Sequence, residues 1–159
     1  MIDTSSKVRS RTEALAWRAR QQGPVVFTNG VFDLVHAGHV ELLEAARREG
    51  ASLIVGVNSD ISAKQLGKGP DRPITPEAAR ARVIAGFAAV DCVVLFDAVT
   101  PLDLIQALTP DVLVKGADYG RKDIVGADWV ESRGGRVVRV PLVTGFSTTS
   151  IMERLRASP

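Results

Sequence analysis

Five short runs of β-branched and apolar residues, at 25–28, 52–57, 92–96, 112–114 and 136–140, are each followed by a stretch with helical patterning. Strand then helix is the rhythm of a parallel sheet, because parallel neighbours need a crossover and a helix is its usual form. The runs show no polar alternation, as expected of strands covered by helices on both faces. The fold class expected is therefore α/β: a Rossmann-like, doubly wound parallel sheet of about five strands. A chain of 159 residues with 45% hydrophobic content has enough material for one sizeable core, and is short for two. One domain over 1–159 is expected, with an N-terminal helix within 1–22 and the core over 23–159.

The intervening helices have their own signals. Residues 40–48 place Leu42, Leu43, Ala45 and Ala46 on one side and Glu44, Arg47 and Arg48 on the other, with Gly50 as a stop. Pro76 opens a helix running to about Ala89, with Ala79, Val83, Ile84 and Phe87 facing inward. Pro101 begins another, preceded by Thr100 as N-cap and closed before Pro110. Ser147 or Thr148 caps a last helix reaching about Leu155. Residues 7–21 read as an amphipathic helix offering Val8, Leu15 and Trp17 for packing. The stretch 62–75, with Gly67, Gly69, Pro70 and Pro73 among Lys64, Lys68 and Arg72, has too little apolar content for core and reads as a mobile surface loop.

Composition narrows the partners. The 20 basic residues are interleaved with 18 acidic ones for a net charge of +2, so no stripe or tail exists for a nucleic acid. The polar start has no apolar h-region, and no stretch approaches the ~20 apolar residues of a membrane span. A single cysteine, Cys92, sits in an apolar run and reads as a buried strand thiol in a reducing compartment. A soluble cytoplasmic protein is expected.

Thr28, Asn29 and Gly30 close the first strand, and the segment from Phe32 and Asp33 to His36-Ala37-Gly38-His39 leads into the first helix of the core. In an open parallel sheet ligands bind beyond the strand carboxyl ends, where helix N-termini offer free N–H groups and positive potential to phosphates. Gly30 and Gly38 allow close backbone approach. Two histidines three residues apart share a face, and as N–H donors they can stabilise the charge that develops on phosphorus under in-line attack. The spacing also suits metal ligands, but an HxxH pair normally needs a third protein ligand and no obvious His or Cys elsewhere in the chain offers one, so no metal ligand is expected. A bare HxGH string is equally compatible with one capping and one solvated histidine; its position straight after a strand favours a phosphate site.

From 26 to 60 and from 64 to 151 the chain resembles the cytidylyltransferase-like nucleotidyltransferases of the HxGH type, and within them the heptose 1-phosphate adenylyltransferases. The segments that carry the resemblance are Phe27-Thr28-Asn29-Gly30-Val31-Phe32-Asp33, His36-Ala37-Gly38-His39, Val57-Asn58-Ser59-Asp60, Gly69-Pro70-Asp71-Arg72-Pro73-Ile74, Val114-Lys115-Gly116-Ala117-Asp118-Tyr119 and Ser147-Thr148-Thr149. The resemblance implies transfer of AMP from ATP, with Mg²⁺ carried on the triphosphate, to a phosphorylated sugar. His36, His39 and Lys68 would be catalytic. Thr28, Asn29, Gly30, Phe32, Gly38, Lys64, Arg80, Lys115, Gly116, Asp118, Ser147 and Thr148 would hold the nucleotide, and Asp33, Asp60 and Arg72 the sugar phosphate. Lys115, Gly116 and Asp118 follow the fourth strand, at the sheet's carboxyl edge.

The resemblance further implies a homodimer, a separate sugar kinase upstream, and ADP-heptose for lipopolysaccharide core or surface glycans. One departure stands out. The related glycerol-3-phosphate cytidylyltransferases have Arg-Thr-Glu-Gly-Ile-Ser-Thr-Thr where this chain reads Leu142-Val143-Thr144-Gly145-Phe146-Ser147-Thr148-Thr149. With Leu142 in the arginine's place, Arg72, Arg80 or Arg121 must supply any arginine needed. A CTP-dependent enzyme acting on glycerol or alditol phosphate, and a noncatalytic nucleotide sensor, are the two alternatives.

Overall fold

A computed structural model describes residues 3–158; Met1, Ile2 and Pro159, which fall within the expected spans 1–22 and 1–159, lie outside the described residues. Strands β1 (Val25–Gly30), β2 (Ser52–Asn58), β3 (Cys92–Phe96), β4 (Val112–Gly116) and β5 (Arg136–Val140) form one parallel sheet in the order β3-β2-β1-β4-β5. The chain runs outward from β1 to β3, then returns to β4 on the other side of β1. That reversal creates a crevice at the carboxyl ends of β1 and β4.

Helices cover both faces. On one, α2 (Ala37–Arg48) and α4 (Glu77–Ala85) pack Leu43, Ala46, Ala81 and Ile84 against Val26, Leu53, Val55 and Val114. On the other, α1 (Arg11–Ala19), α5 (Leu102–Leu108) and α6 (Ala127–Ser132) pack Ala14, Ile105, Leu108 and Val130 against Phe27, Ile54, Cys92 and Leu113. Burial on both faces is why the strands read as unbroken apolar runs. Two further helices, α3 (Asp60–Gln65) and α7 (Thr148–Ala157), flank the crevice.

Several elements depart from expectation. The N-terminal helix begins at Arg11, because Ser10 and Glu13 form a capping box there; Lys7 lies in a 3₁₀ turn and Val8 bridges to Val93. Leu15 and Trp17 do pack on the core. The expected loop at 62–75 is helical over its first four residues, the end of α3, where Ser62 and Ala63 are buried, and free of helix or strand from 66 on. Its burial is polar: Asn58 Nδ2 donates to Ser62 Oγ at 2.7 Å, and Ser62 Oγ donates to the Ala98 carbonyl at 2.8 Å, so no apolar period betrays it.

Helix α4 ends at Ala85, and its inner face is Arg80, Ala81, Ile84 and Ala85, while Ala79 and Val83 face outward. A buried arginine rotates that face away from the one hydrophobicity suggests. Pro101, not Thr100, is the cap of α5. Strand β4 runs further than expected, so that Lys115 and Gly116 are strand residues, while Asn29 and Gly30 close β1 as expected.

Candidate active site

The crevice is a cleft of about 680 Å³. Asn29, Gly30, Phe32, Asp33, His36, Gly38, His39, Lys68, Arg72, Lys115, Gly116, Asp118, Ser147 and Thr148 all line it. They come from β1, the following turn, α2, the loop after α3, β4 and the N-terminus of α7.

The histidines are organised by the helix they open. His36 is the N-cap of α2 and its Nδ1 accepts the Gly38 N–H at 3.1 Å, while His39 Nδ1 accepts the His36 N–H at 3.3 Å. The two imidazoles stack at 3.9 Å between centroids. Because each Nδ1 is an acceptor, each ring carries its proton on Nε2, which leaves two N–H donors for a ligand. Burial pushes His39 down to about 4, with the neighbouring His36 and Lys68 adding to the effect, and burial also lowers His36. Near neutral pH the pair is uncharged. A Cβ at Gly38 would meet the His36 ring at 3.0 Å, so any larger residue there would press on that imidazole.

Phe32 lies at φ 52°, in the left-handed region that bulky residues avoid. That strain turns its ring inward, 4% exposed, to contact His39 at 5.2 Å. Gly30 makes room, since a Cβ there would lie 3.1 Å from the Phe32 ring.

Asp33 is committed to the protein. Its carboxylate accepts from Arg72 Nε at 2.7 Å and from the backbone N–H groups of Ile74 at 3.0 Å and Thr75 at 2.9 Å. Burial opposes its ionisation, but these amides and the Arg72 guanidinium together hold the carboxyl below its usual value. Arg72 is thereby fixed at the cleft, its Nη1 meeting only the Met152 sulfur at 3.4 Å. Of the three arginines that stand as substitutes at Leu142, Arg72 alone lines the cleft.

Arg80 does not face the cleft. It is 1% exposed and donates to the carbonyls of Thr75, Val31 and Asn58 and to Asp60 Oδ1 at 2.8 Å. Asp60 is thus Arg80's partner and lies off the cleft lining. Arg121 pairs with Glu131. Lys64 is exposed on α3, and Thr28 is fully buried beneath the floor with no hydrogen-bond partner for its hydroxyl.

Lys115 projects from β4, donates to the Asn29 carbonyl at 3.1 Å and lies 5.0 Å from the Tyr119 ring. Burial lowers it to about 8, with Asp118 opposing that shift and Lys68 reinforcing it. Gly116 is needed beside it, because a Cβ would stand 2.6 Å from Asp118 Oδ1. Ser147 caps α7, accepting from the Ser150 N–H, and Thr148 Oγ1 donates to the Leu34 carbonyl at 3.4 Å.

The cleft also has an apolar side that the sequence reading missed: Leu66, Val99, Tyr119, Leu142 and Phe146 line it while remaining substantially exposed. The signal available was apolar residues in polar turns. Among the described residues no three or more His, Cys, Asp or Glu side chains converge on a metal position, and Asp33 is already saturated. These residues do not fit a protein cage for Mg²⁺. Nor is any helix among the described residues long and apolar enough to cross a membrane.

Comparison with known proteins agrees with this geometry. The cytidylyltransferase-like family matches residues 27–154. The bifunctional protein HldE of Gluconobacter oxydans is 56% identical over 140 residues, covering 88% of this chain and 29% of that protein. The HldE of Syntrophotalea carbinolica is 50% identical over 157 residues, covering 97% of this chain and 32% of its own length. The chain therefore spans about three tenths of these relatives. Among solved structures, a lipopolysaccharide core biosynthesis protein from Thermoplasma volcanium superposes with a TM-score of 0.64 at 26% identity, covering 77% of this chain and 98% of that one. Pantothenate synthetase from Thermus thermophilus, with TM-score 0.55 at 19% identity over 92% of this chain and 70% of its own, shares the fold.

Proposed function

Because the chain belongs to the cytidylyltransferase-like family of nucleotidyltransferases, we propose that it transfers AMP from ATP to D-glycero-D-manno-heptose 1-phosphate. A phosphate oxygen of the sugar attacks the α-phosphorus, the bond to the β-phosphate bridging oxygen breaks, and ADP-heptose and pyrophosphate are formed. The observation that carries the reading is the pair of neutral imidazoles at the N-terminus of α2, each with an Nε2–H free for the cleft. Identity to HldE proteins and likeness to a lipopolysaccharide core biosynthesis protein support the substrate.

In this reading His36 and His39 donate to triphosphate oxygens and stabilise the charge that grows at the α-phosphoryl group, an effect worth roughly 10²–10³ in rate per donor. Neutral donors do this without a proton transfer. The attacking phosphate oxygen is already anionic, so positioning and charge neutralisation do most of the work. Positive charge comes from Lys68 and Lys115 toward the nucleotide and from Arg72, aimed by Asp33, toward the sugar phosphate. Asn29, Gly30, Phe32, Gly38, Gly116 and Asp118 shape the floor, and Ser147 and Thr148 offer the N-terminus of α7 to phosphate. Arg80, Asp60 and Thr28 support that floor from beneath, and Lys64 draws polyanions from the rim. Mg²⁺ enters as the counter-ion of ATP. The proposal includes a cytoplasmic homodimer working downstream of a sugar kinase.

Pyrophosphate release is followed with heptose 1-phosphate and either ATP or CTP. Release with ATP is expected. Preference for CTP would instead identify a cytidylyltransferase, and nucleotide binding without release would identify a sensor.

A further inference from the structure

Phe146 has no part in the reaction as described, yet it is a half-exposed phenylalanine in a cleft that binds phosphates. Its ring lies nearly parallel to His36, at 24° and 6.4 Å between centroids, within the range of aromatic pairing. His39 stacks on His36 at 3.9 Å, and Phe146 is the second ring beside that imidazole. Its Cβ also sits 3.7 Å from where a side chain on Gly38 would begin. Phe32, His39, His36 and Phe146 thus form a continuous run of rings across the cleft floor.

The two ends of that run are held differently. Phe32 is buried beside β1, whereas Phe146 belongs to the connection between β5 and α7, just after Gly145 at φ 87° and just before the Ser147 cap. Helix α7 has no buried residue. It is attached through Thr148 to Leu34, Arg72 to Met152, and Arg156 to Asp71 at 3.5 Å. Phe146 is therefore where this lightly held segment meets the histidines.

We propose that Phe146 is a positioning residue: its ring, packed beside His36, shields that imidazole from water and ties the orientation of the histidine pair to the loop carrying the Ser147 cap. Without that cover, water reaches His36, protonation of Nδ1 becomes easier, and the Gly38 N–H loses its acceptor. The charged side chains that line the cleft with the pair are Lys68, Arg72, Lys115, Asp118 and Asp123, with Asp33 engaged by Arg72. All remain in a Phe146 variant, so a changed histidine titration reports on the ring.

The proposal rests on the phosphate-binding reading of the histidines, but its first readout, histidine titration, needs no turnover. The chain has two histidines, so ¹⁵N-histidine NMR resolves each, with His39→Gln giving the assignment. In the parent protein His36 is expected as the Nε2–H tautomer, titrating below the usual value of roughly 6.5. In Phe146→Ala its titration moves up toward that value and the tautomer mixes. kcat falls about tenfold, short of the ~10² a full misplacement costs, and KM for ATP changes less.

Phe146→Tyr restores both readouts, and Phe146→Leu, which keeps apolar bulk without a plane, falls between. A His36 titration unchanged in Phe146→Ala, or a defect confined to KM, would overturn the proposal and leave Phe146 as a wall for the nucleotide. Histidines that behave as expected in a protein releasing no pyrophosphate would instead sink the proposed reaction alone.

Discussion

The two walls of the cleft are built on different principles. The wall formed by β1, the turn after it and α2 is anchored by two charged networks: Asp33 takes up Arg72 and two backbone amides, and Arg80 ties together Val31, Asn58, Asp60 and Thr75. The wall formed by 141–147 and α7 buries no helix residue and rests on a few side-chain contacts. A donor that must not reorganise during phosphoryl transfer belongs on the first wall, and the histidines are there. The second wall is the one where local opening costs little.

Substitutions should separate the walls by size and kind of effect. The largest is expected at Arg80→Ala, which strands several buried carbonyls and Asp60 and should cost about 3–5 kcal/mol in urea unfolding; Arg80→Lys should restore little, because a compact ammonium cannot span the same acceptors. A loss under about 1 kcal/mol would show the first wall to be less rigid than its bonding implies. His39→Ala comes next, expected to reduce kcat by about 10²–10³ while leaving the unfolding midpoint nearly unchanged. An equal loss of stability would mean that His39 serves mainly as the partner of the His36 amide.

The third effect concerns pH. In the free protein Lys115 titrates at about 8, chiefly because it is buried, and phosphate binding must pull it back up. Below about 8 the lysine is already charged and binding takes up no proton there; above it, ATP affinity should decline as pH rises, with uptake of one proton. Calorimetry in two buffers of different ionisation enthalpy at pH 9 measures that proton, and Lys115→Met should abolish it. The smallest effect is at the second wall: Ser147→Ala removes the α7 cap at a local cost of about 1 kcal/mol. Hydrogen exchange in α7 should quicken while global unfolding stays unchanged, and a cooperative loss of stability would show that α7 belongs to the core.

How much of this was legible follows from the same contrast. The strands and the core-facing helices α2 and α5 announce themselves through hydrophobic period and Pro/Gly punctuation. Helix α3 does not, since its burial is satisfied by Ser62 and Asn58. In α4 the side chain that turns inward is an arginine, and only the acceptors waiting for it explain why. Asp33 and Arg72 could be named as site residues from their motifs. That they bind each other depends on bringing together residues 39 apart in the chain, which no local pattern encodes.

For the HxGH segment, sequence alone determined the residue types, their spacing and their place at the end of a strand, because these are local and set by backbone periodicity. The tertiary structure decided the rest. Which ring nitrogen carries the proton depends on the backbone N–H groups of His36 and Gly38, which donate to the Nδ1 atoms at the helix start. What keeps the histidines neutral is burial, helped at His39 by the neighbouring His36 and by the charge of Lys68 from another loop. And the ring packed beside His36 arrives from residue 146, over a hundred positions away along the chain and 6.4 Å away in space.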